Sequence, residues 1–174
     1  MFAEWDSFYL LVGSASGGLI GLLFVVATLS AGRDGSLLSQ ANRTYITPVV
    51  FHFAVVFYVS GIAFVPGLHP VAAGLLIAGA ALAGLVYCGI VSLRLARGLV
   101  PTPPHWTDLH FYGLLPAVAY VCLVVSAAVV AGASEAGATG IAGSALALLL
   151  IGVRNAWDLV TFLVQNPPPQ KEGS

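Results

Sequence analysis

The sequence predicts an all-α integral membrane protein with five transmembrane helices. Hydrophobic residues make up 59% of the 174 residues and charged residues only 7%, whereas an ordinary soluble domain has roughly 25% charged residues. Several apolar runs exceed the roughly 18 residues that a helix needs to cross a bilayer. Short segments with prolines, glycines and most of the charged residues separate these runs. We therefore expect one five-helix transmembrane domain over residues 1–165.

The first predicted span covers about residues 8–31 and carries a row of small residues. The segment before it lacks basic residues and the apolar run is too long for a signal peptide, so we expect this helix to be retained. Small residues at helical spacing allow two helices to approach closely in lipid. We expect this glycine face to pack against a helix of the same chain or of another protomer. The glycine face consists of Gly13, Ser14, Gly17, Gly18 and Gly21.

The second predicted span covers about residues 45–65 and ends at Pro66, which begins a stretch typical of a turn. The third covers about residues 71–93, is rich in glycine and alanine, and ends near Arg94 and Arg97. An uncharged segment joins the two spans, so we expect a tight turn between them.

The fourth predicted span covers about residues 109–131 and contains Pro116. Because proline has no N–H, we expect it to remove the backbone donor for the carbonyl of Tyr112 and to loosen the helix there. The fifth span covers about residues 139–164. A proline-rich tail follows at residues 166–174, and its composition predicts disorder.

The arginines between the spans predict the orientation of the chain. They occur in the first and third loops, whereas the second loop has no Lys or Arg and the fourth has only Glu135 as a charged residue. The positive-inside rule then places the N-terminus outside and the C-terminal tail in the cytoplasm. The composition fits a multi-pass protein of a bacterial inner (plasma) membrane. The loop arginines are Arg33, Arg43, Arg94 and Arg97.

A row of small and polar residues runs along the fifth span. A charged pair four residues apart in an apolar helix predicts that this row faces protein or a water-filled cavity rather than lipid. Counted from Val164 by helical rise, Asp158 lies roughly 9 Å and Arg154 roughly 15 Å along the helix. The row consists of Gly140, Ser144, Ala147, Ile151, Arg154, Asp158, Thr161 and Gln165.

Two aromatic side chains on other spans fall at a similar level. By the same count His52 lies roughly 10 Å and Tyr120 roughly 16 Å from the cytoplasmic ends of their helices. We therefore expect a polar lining or gate in the cytoplasmic half. Its candidate residues are Arg154, Asn155, Asp158, His52, Tyr120, Ser144 and Thr161. The alternative is structural: an intrahelical Arg–Asp pair that ties its helix to a neighbour, with His52 as a hydrogen-bonded packing residue.

Composition and motifs argue against several other classes of function. The net charge is −1 and no basic patch is available for phosphates, so we expect no nucleic-acid partner. Cys88 and Cys122 both fall within apolar spans, which predicts buried thiols rather than a disulfide or a zinc site. No hydrolase, phosphate-binding or redox motif occurs. We expect no enzyme activity, no cofactor and no metal.

These observations leave two main functional hypotheses. The first is a small homo-oligomeric channel or transporter for an ion or small polar solute, with its path between protomers because one short chain can hardly enclose a wide path. The second is a non-transporting accessory or scaffold subunit that docks another membrane subunit through the Arg154/Asp158 pair and the glycine face. A weaker third is lipid or cofactor binding.

Overall fold

The computed structural model describes residues 2–29, 46–98, 107 and 109–165, and every regular element in these ranges is a helix. The predicted tail, the whole predicted first loop with Arg33 and Arg43, and most of the predicted third loop lie outside the described residues. A short 3-10 helix at Ala3–Trp5 leads into the first long helix. The elements are α1 (Asp6–Leu29), α2 (Thr47–Ala63), α3 (Pro70–Ala96), a π-helix (Leu109–Leu114) that continues directly into α4 (Leu115–Ala131), and α5 (Ala136–Gln165).

The prediction of an all-helical chain with apolar helices of membrane-spanning length is confirmed. Among the described residues, four helical stretches are long and apolar enough to cross a bilayer: Asp6–Thr28, Pro70–Ala96, Leu109–Ala131 and Ala136–Thr161. The apolar helix α2 has 17 residues, just below the roughly 18 that spanning requires. The chain is therefore a multi-pass membrane protein with four to five such helices.

Four of the helices form a closed ring. Helix α2 packs on α3, α3 on α4, α4 on α5, and α5 returns to α2. Helix α1 lies outside this ring, where it packs mainly on α2 and also touches α5. As a result α2 and α4 occupy opposite corners, and long side chains from them can meet in the centre.

Local sequence sets the sharp turn between α2 and α3. Gly67 adopts a φ of +67°, a backbone conformation that glycine adopts without steric cost. Pro70 is the first residue of α3, where its missing N–H costs no hydrogen bond. The side chain of His69 caps the helix, because its Nδ1 accepts a hydrogen bond of 3.3 Å from the backbone N–H of Val71.

Glycines allow the ring helices to approach closely. A Cβ atom on Gly84 of α3 would overlap the aromatic ring of Tyr120 on α4. A Cβ atom on Gly152 of α5 would likewise overlap the ring of Phe53 on α2. Both aromatic rings are fully buried. The large side chains of one helix therefore fill the space that a missing side chain leaves on the next.

The glycine face of α1 divides into two parts. Gly13 and Gly17 pack within the chain: an added Cβ atom would lie 2.9 Å from the Cβ of Ser60 and 3.5 Å from the ring of Phe57, respectively. At Gly18 and Gly21 such an atom would meet nothing within 4 Å. Ser14 is also exposed. Two of the five residues of the predicted packing face are thus used against α2, and the other three are open.

Candidate functional site

A histidine and a tyrosine meet in the centre of the ring. The Nδ1 atom of His52 on α2 lies 2.8 Å from the hydroxyl of Tyr120 on α4, a hydrogen-bond distance. Both side chains have zero exposure to solvent. The contact crosses the bundle from corner to corner, and the close approach at Gly84 gives the tyrosine ring its room. The other ring nitrogen of His52, Nε2, has no hydrogen-bond partner among the described residues.

A second polar group joins α5 to the π-helix. Asn155 is fully buried, and its Nδ2 donates a hydrogen bond of 2.9 Å to the backbone carbonyl of Phe111. The backbone carbonyl of Asn155 accepts a hydrogen bond of 3.2 Å from the hydroxyl of Tyr112. Two bonds in opposite directions therefore fix the fifth span against the start of the fourth.

The position of Pro116 explains why this carbonyl needs a donor from another helix. In an α-helix, Pro116 would leave the carbonyl of Tyr112 without its donor, which is the irregularity predicted from the sequence. In the i→i+5 pattern of a π-helix, the carbonyl that lacks a donor at residue 116 is that of Phe111. The residues before Pro116 form a π-helix, and the Phe111 carbonyl is the one that Asn155 serves.

The charged pair on α5 adjoins this group. Nη1 of Arg154 lies 2.9 Å from Oδ2 of Asp158 and donates a 3.3 Å hydrogen bond to Oδ1 of Asn155. The guanidinium carbon lies 3.5 Å from the centre of the Phe111 ring, which is a cation–π contact. The two charged side chains are 36% and 44% exposed. Among Arg154, Asn155 and Asp158, only Asn155 is buried.

The charged pair lies at one end of the bundle. Arg154 stacks on Phe111, the third residue of the π-helix with which the fourth span begins. Tyr120 lies nine residues further along, roughly 13 Å by helical rise. The predicted depths of Arg154 and Asp158 assumed that the bundle ends at Val164. In the structure α5 extends to Gln165, well past the level at which the fourth span begins. The expected five-residue cluster is therefore divided into a central group with His52 and a terminal group with Arg154.

Two further polar residues of the predicted row, Ser144 and Thr161, bond within α5 itself, and the side chain of Gln165 lies outside the described part of the chain. Ser144 donates 2.8 Å to the carbonyl of Gly140, and Thr161 donates to the carbonyls of Trp157 and Asp158 at 3.0 and 2.9 Å. The row lies at the edge of the buried face, one residue out of register with its centre. Apolar packing determines which face turns inward. The centre of that face consists of Ile141, Ala145, Leu148, Gly152, Asn155 and Leu159.

The features above define an all-helical, multi-pass membrane protein with two polar groups, one central and one at the end of the bundle that contains the start of the fourth span. In the parts of the chain that the structure describes, no cluster of three or more His, Cys, Asp or Glu side chains could hold a metal ion. Comparison with protein-family models, with curated proteins and with solved structures finds no match to this chain.

Proposed function

We propose that the protein is a homo-oligomeric channel or transporter for an ion or small polar solute. The observation that carries this proposal is the partly exposed Arg154–Asp158 pair on the outer surface of the bundle. Charged side chains in a spanning helix are costly against lipid and normally face protein or water. A second protomer would cover the pair, and the polar surface would then line a passage between protomers.

The packing within one chain supports a path between protomers rather than through the ring. The central positions of the ring are occupied by fully buried side chains, among them His52, Phe53 and Tyr120. Leu123 and Leu148 fill the same interior with zero exposure. A polar solute would have to displace this packed core to pass through a single chain.

The arginines at the end of α3 support an orientation of the chain in the membrane. Arg94 and Arg97 end α3 at the same end of the bundle as the start of the fourth span, because α3 and α4 run antiparallel as adjacent spans. The positive-inside rule places this end in the cytoplasm and the N-terminus outside. The Arg154–Asp158 pair then lies at the cytoplasmic mouth of the passage, in what we propose to be a bacterial inner membrane.

Ion and proton flux into liposomes that contain the purified protein tests this function. We expect Arg154→Gln and Asp158→Asn to change the rate or the ion selectivity of the flux, because each removes one charge from the proposed mouth. Glu135→Gln is the matched control, since this exposed carboxylate lies in the turn at the opposite end. Folded and inserted wild-type protein that carries no flux for any of several ions would refute the proposal.

A second candidate is the accessory or scaffold subunit. The observation that favours it is the open part of the glycine face, at Gly18 and Gly21, which is available for close packing with another helix. Such a subunit would carry no flux alone and would remain monomeric until its partner is present. A channel would instead form a defined homo-oligomer by itself, so the mass of the purified particle in detergent distinguishes the two.

A further inference from the structure

We propose that the groove between α2 and α3 binds an anionic phospholipid, with an acyl chain in the groove and the phosphate at Arg94. The groove is shallow and largely open to its surroundings, with a volume of about 450 Å³. Its walls are almost entirely apolar. They consist of Phe51, Ala54, Val55 and Tyr58 on α2 and Leu75, Leu76, Gly79 and Ala80 on α3.

The groove and Arg94 lie on one continuous face of α3. Leu76, Ala80, Tyr87 and Arg94 follow one another at spacings of four, seven and seven residues, which places them in one row along a helix. The ring of Tyr87 stacks on that of Phe51, with centroids 5.1 Å apart. Ala80, the groove residue nearest to Arg94 on α3, is fourteen residues away, roughly 21 Å by helical rise. A lipid held at Arg94 would therefore pass the aromatic pair and place the end of an extended acyl chain in the groove.

Charge complementarity identifies the kind of lipid. Arg94 has no ion pair among the described residues. Arg97 adds a second positive charge one turn further on. Arg94 is seven residues beyond Tyr87, roughly 10 Å by helical rise, at the end of α3 where headgroups lie. A basic side chain there attracts an anionic headgroup with about 1 kcal/mol.

The apolar part of the site suits an acyl chain. Leu75 and Leu76 are 67% and 43% exposed, and Tyr58 is 40% exposed. In a membrane these helix faces are surrounded by lipid, so acyl chains are the apolar groups available to occupy the groove. This inference concerns lipid binding by one chain and does not depend on whether the protein carries flux.

Native mass spectrometry of the full chain in detergent, titrated with phosphatidylglycerol or phosphatidylcholine of identical acyl chains, tests the site. We expect wild-type protein to retain one phosphatidylglycerol about fivefold more tightly than phosphatidylcholine, which corresponds to about 1 kcal/mol for one arginine. Arg94→Gln should lower this preference to the part that Arg97 supplies. Arg94→Lys should keep most of it, because the charge remains.

A groove-filling variant tests the place of the acyl chain. At Gly79 an added Cβ atom meets nothing within 4 Å, so Gly79→Leu fills the groove without disturbing the helix contacts. Gly89→Leu on the same helix is the matched control, because Gly89 is equally open but does not line the groove. Ala54→Leu, from the opposite wall, is a second filling variant.

We expect both filling variants to lose bound lipid of either headgroup and the Gly89→Leu control to behave as wild type. Equal retention of the two lipids by wild-type protein would overturn the anionic headgroup. Retention by folded Gly79→Leu or Ala54→Leu at the level of the control would overturn the groove as the binding site.

Discussion

The side-chain amide of Asn155 donates a 2.9 Å hydrogen bond to the backbone carbonyl of Phe111 on the neighbouring span. The same residue accepts from Arg154 through its side-chain oxygen and from Tyr112 through its backbone oxygen. Asn155 is fully buried, so its own polar atoms would lack water if their partners were removed. The irregular start of the fourth span and the polar group on α5 therefore stabilise each other.

The Phe111 carbonyl should couple the effects of Asn155 and Pro116. We expect Asn155→Ala to lower the free energy of unfolding by about 1–3 kcal/mol, because the Phe111 carbonyl, in a part-buried contact between two helices, loses its donor. In a Pro116→Ala background the loss should be smaller, since residue 116 regains an N–H that the helix can use. Denaturant titration in mixed micelles of the wild type, Asn155→Ala, Pro116→Ala and the double variant measures the coupling free energy between the two positions. An equal loss in both backgrounds would show that the carbonyl does not depend on Asn155 for its donor.

The central hydrogen bond should contribute to stability through both partners. Tyr120→Phe leaves His52 without a partner at Nδ1 as well as at Nε2, and we expect a loss of about 1–3 kcal/mol. Combining it with His52→Leu should cost less than the sum of the two single changes, because no unpartnered polar atom remains. Tyr58→Phe is the control, since that tyrosine is 40% exposed. Thermal melting in detergent would contradict the prediction if the effects of the two changes simply added.

Two glycines of α3 should respond in opposite ways to the same substitution. Gly84→Ala places a methyl group into the Tyr120 ring, and overpacking of this kind typically costs about 1–3 kcal/mol. Gly89→Ala meets no atom within 4 Å and should leave stability unchanged or raise it by up to about 1 kcal/mol, because alanine favours the helix. Unfolding titrations of the two variants side by side provide the measurement. A similar change in both would mean that α3 and α4 are not in close contact at Gly84.

Cysteine cross-linking should report which face meets a second protomer. In a background with Cys88→Ala and Cys122→Ala, we expect Trp157→Cys to form disulfide-linked dimers on mild oxidation in membranes. Trp157 is 69% exposed and lies between the two charged residues. Leu93→Cys is the control at the same end of the bundle, because Leu93 is 54% exposed on α3. Dimers through Leu93→Cys but not through Trp157→Cys would place the contact elsewhere.

The helices could be predicted from the sequence because the signals for them are local. Apolar runs and the prolines and glycines between them placed the helices within about three residues of the bounds of the described elements; the fourth span, predicted as residues 109–131, is observed as Leu109–Ala131. The π-helix at its start could not be foreseen, because it depends on a donor that α5 supplies. Pro116 indicated an irregularity but not its form.

The rotation of each helix about its axis was harder to predict from the sequence than the position of the helix along the chain. The spacing of polar residues predicted an inward row through Ser144 and Arg154, whereas the buried face is centred one residue later, on Ala145 and Asn155. Close contact at Gly152 helps to set this rotation, and a contact between distant segments leaves no local signal. His52 and Tyr120 do meet, because both lie on ring helices at a similar level.

The ring also has a consequence for the order in which the chain is made. During synthesis α5 is the last of the five helices to be made, yet it contacts α1, α2, α4 and the π-helix. Before α5 packs, the nascent chain has an open seam between α2 and α4, and the Phe111 carbonyl lacks the hydrogen-bond donor that Asn155 supplies. A chain that stops before α5 would present that seam to chaperones and membrane proteases. Closure of the ring thus distinguishes a chain in which α5 has packed against α2 and α4 from one in which it has not.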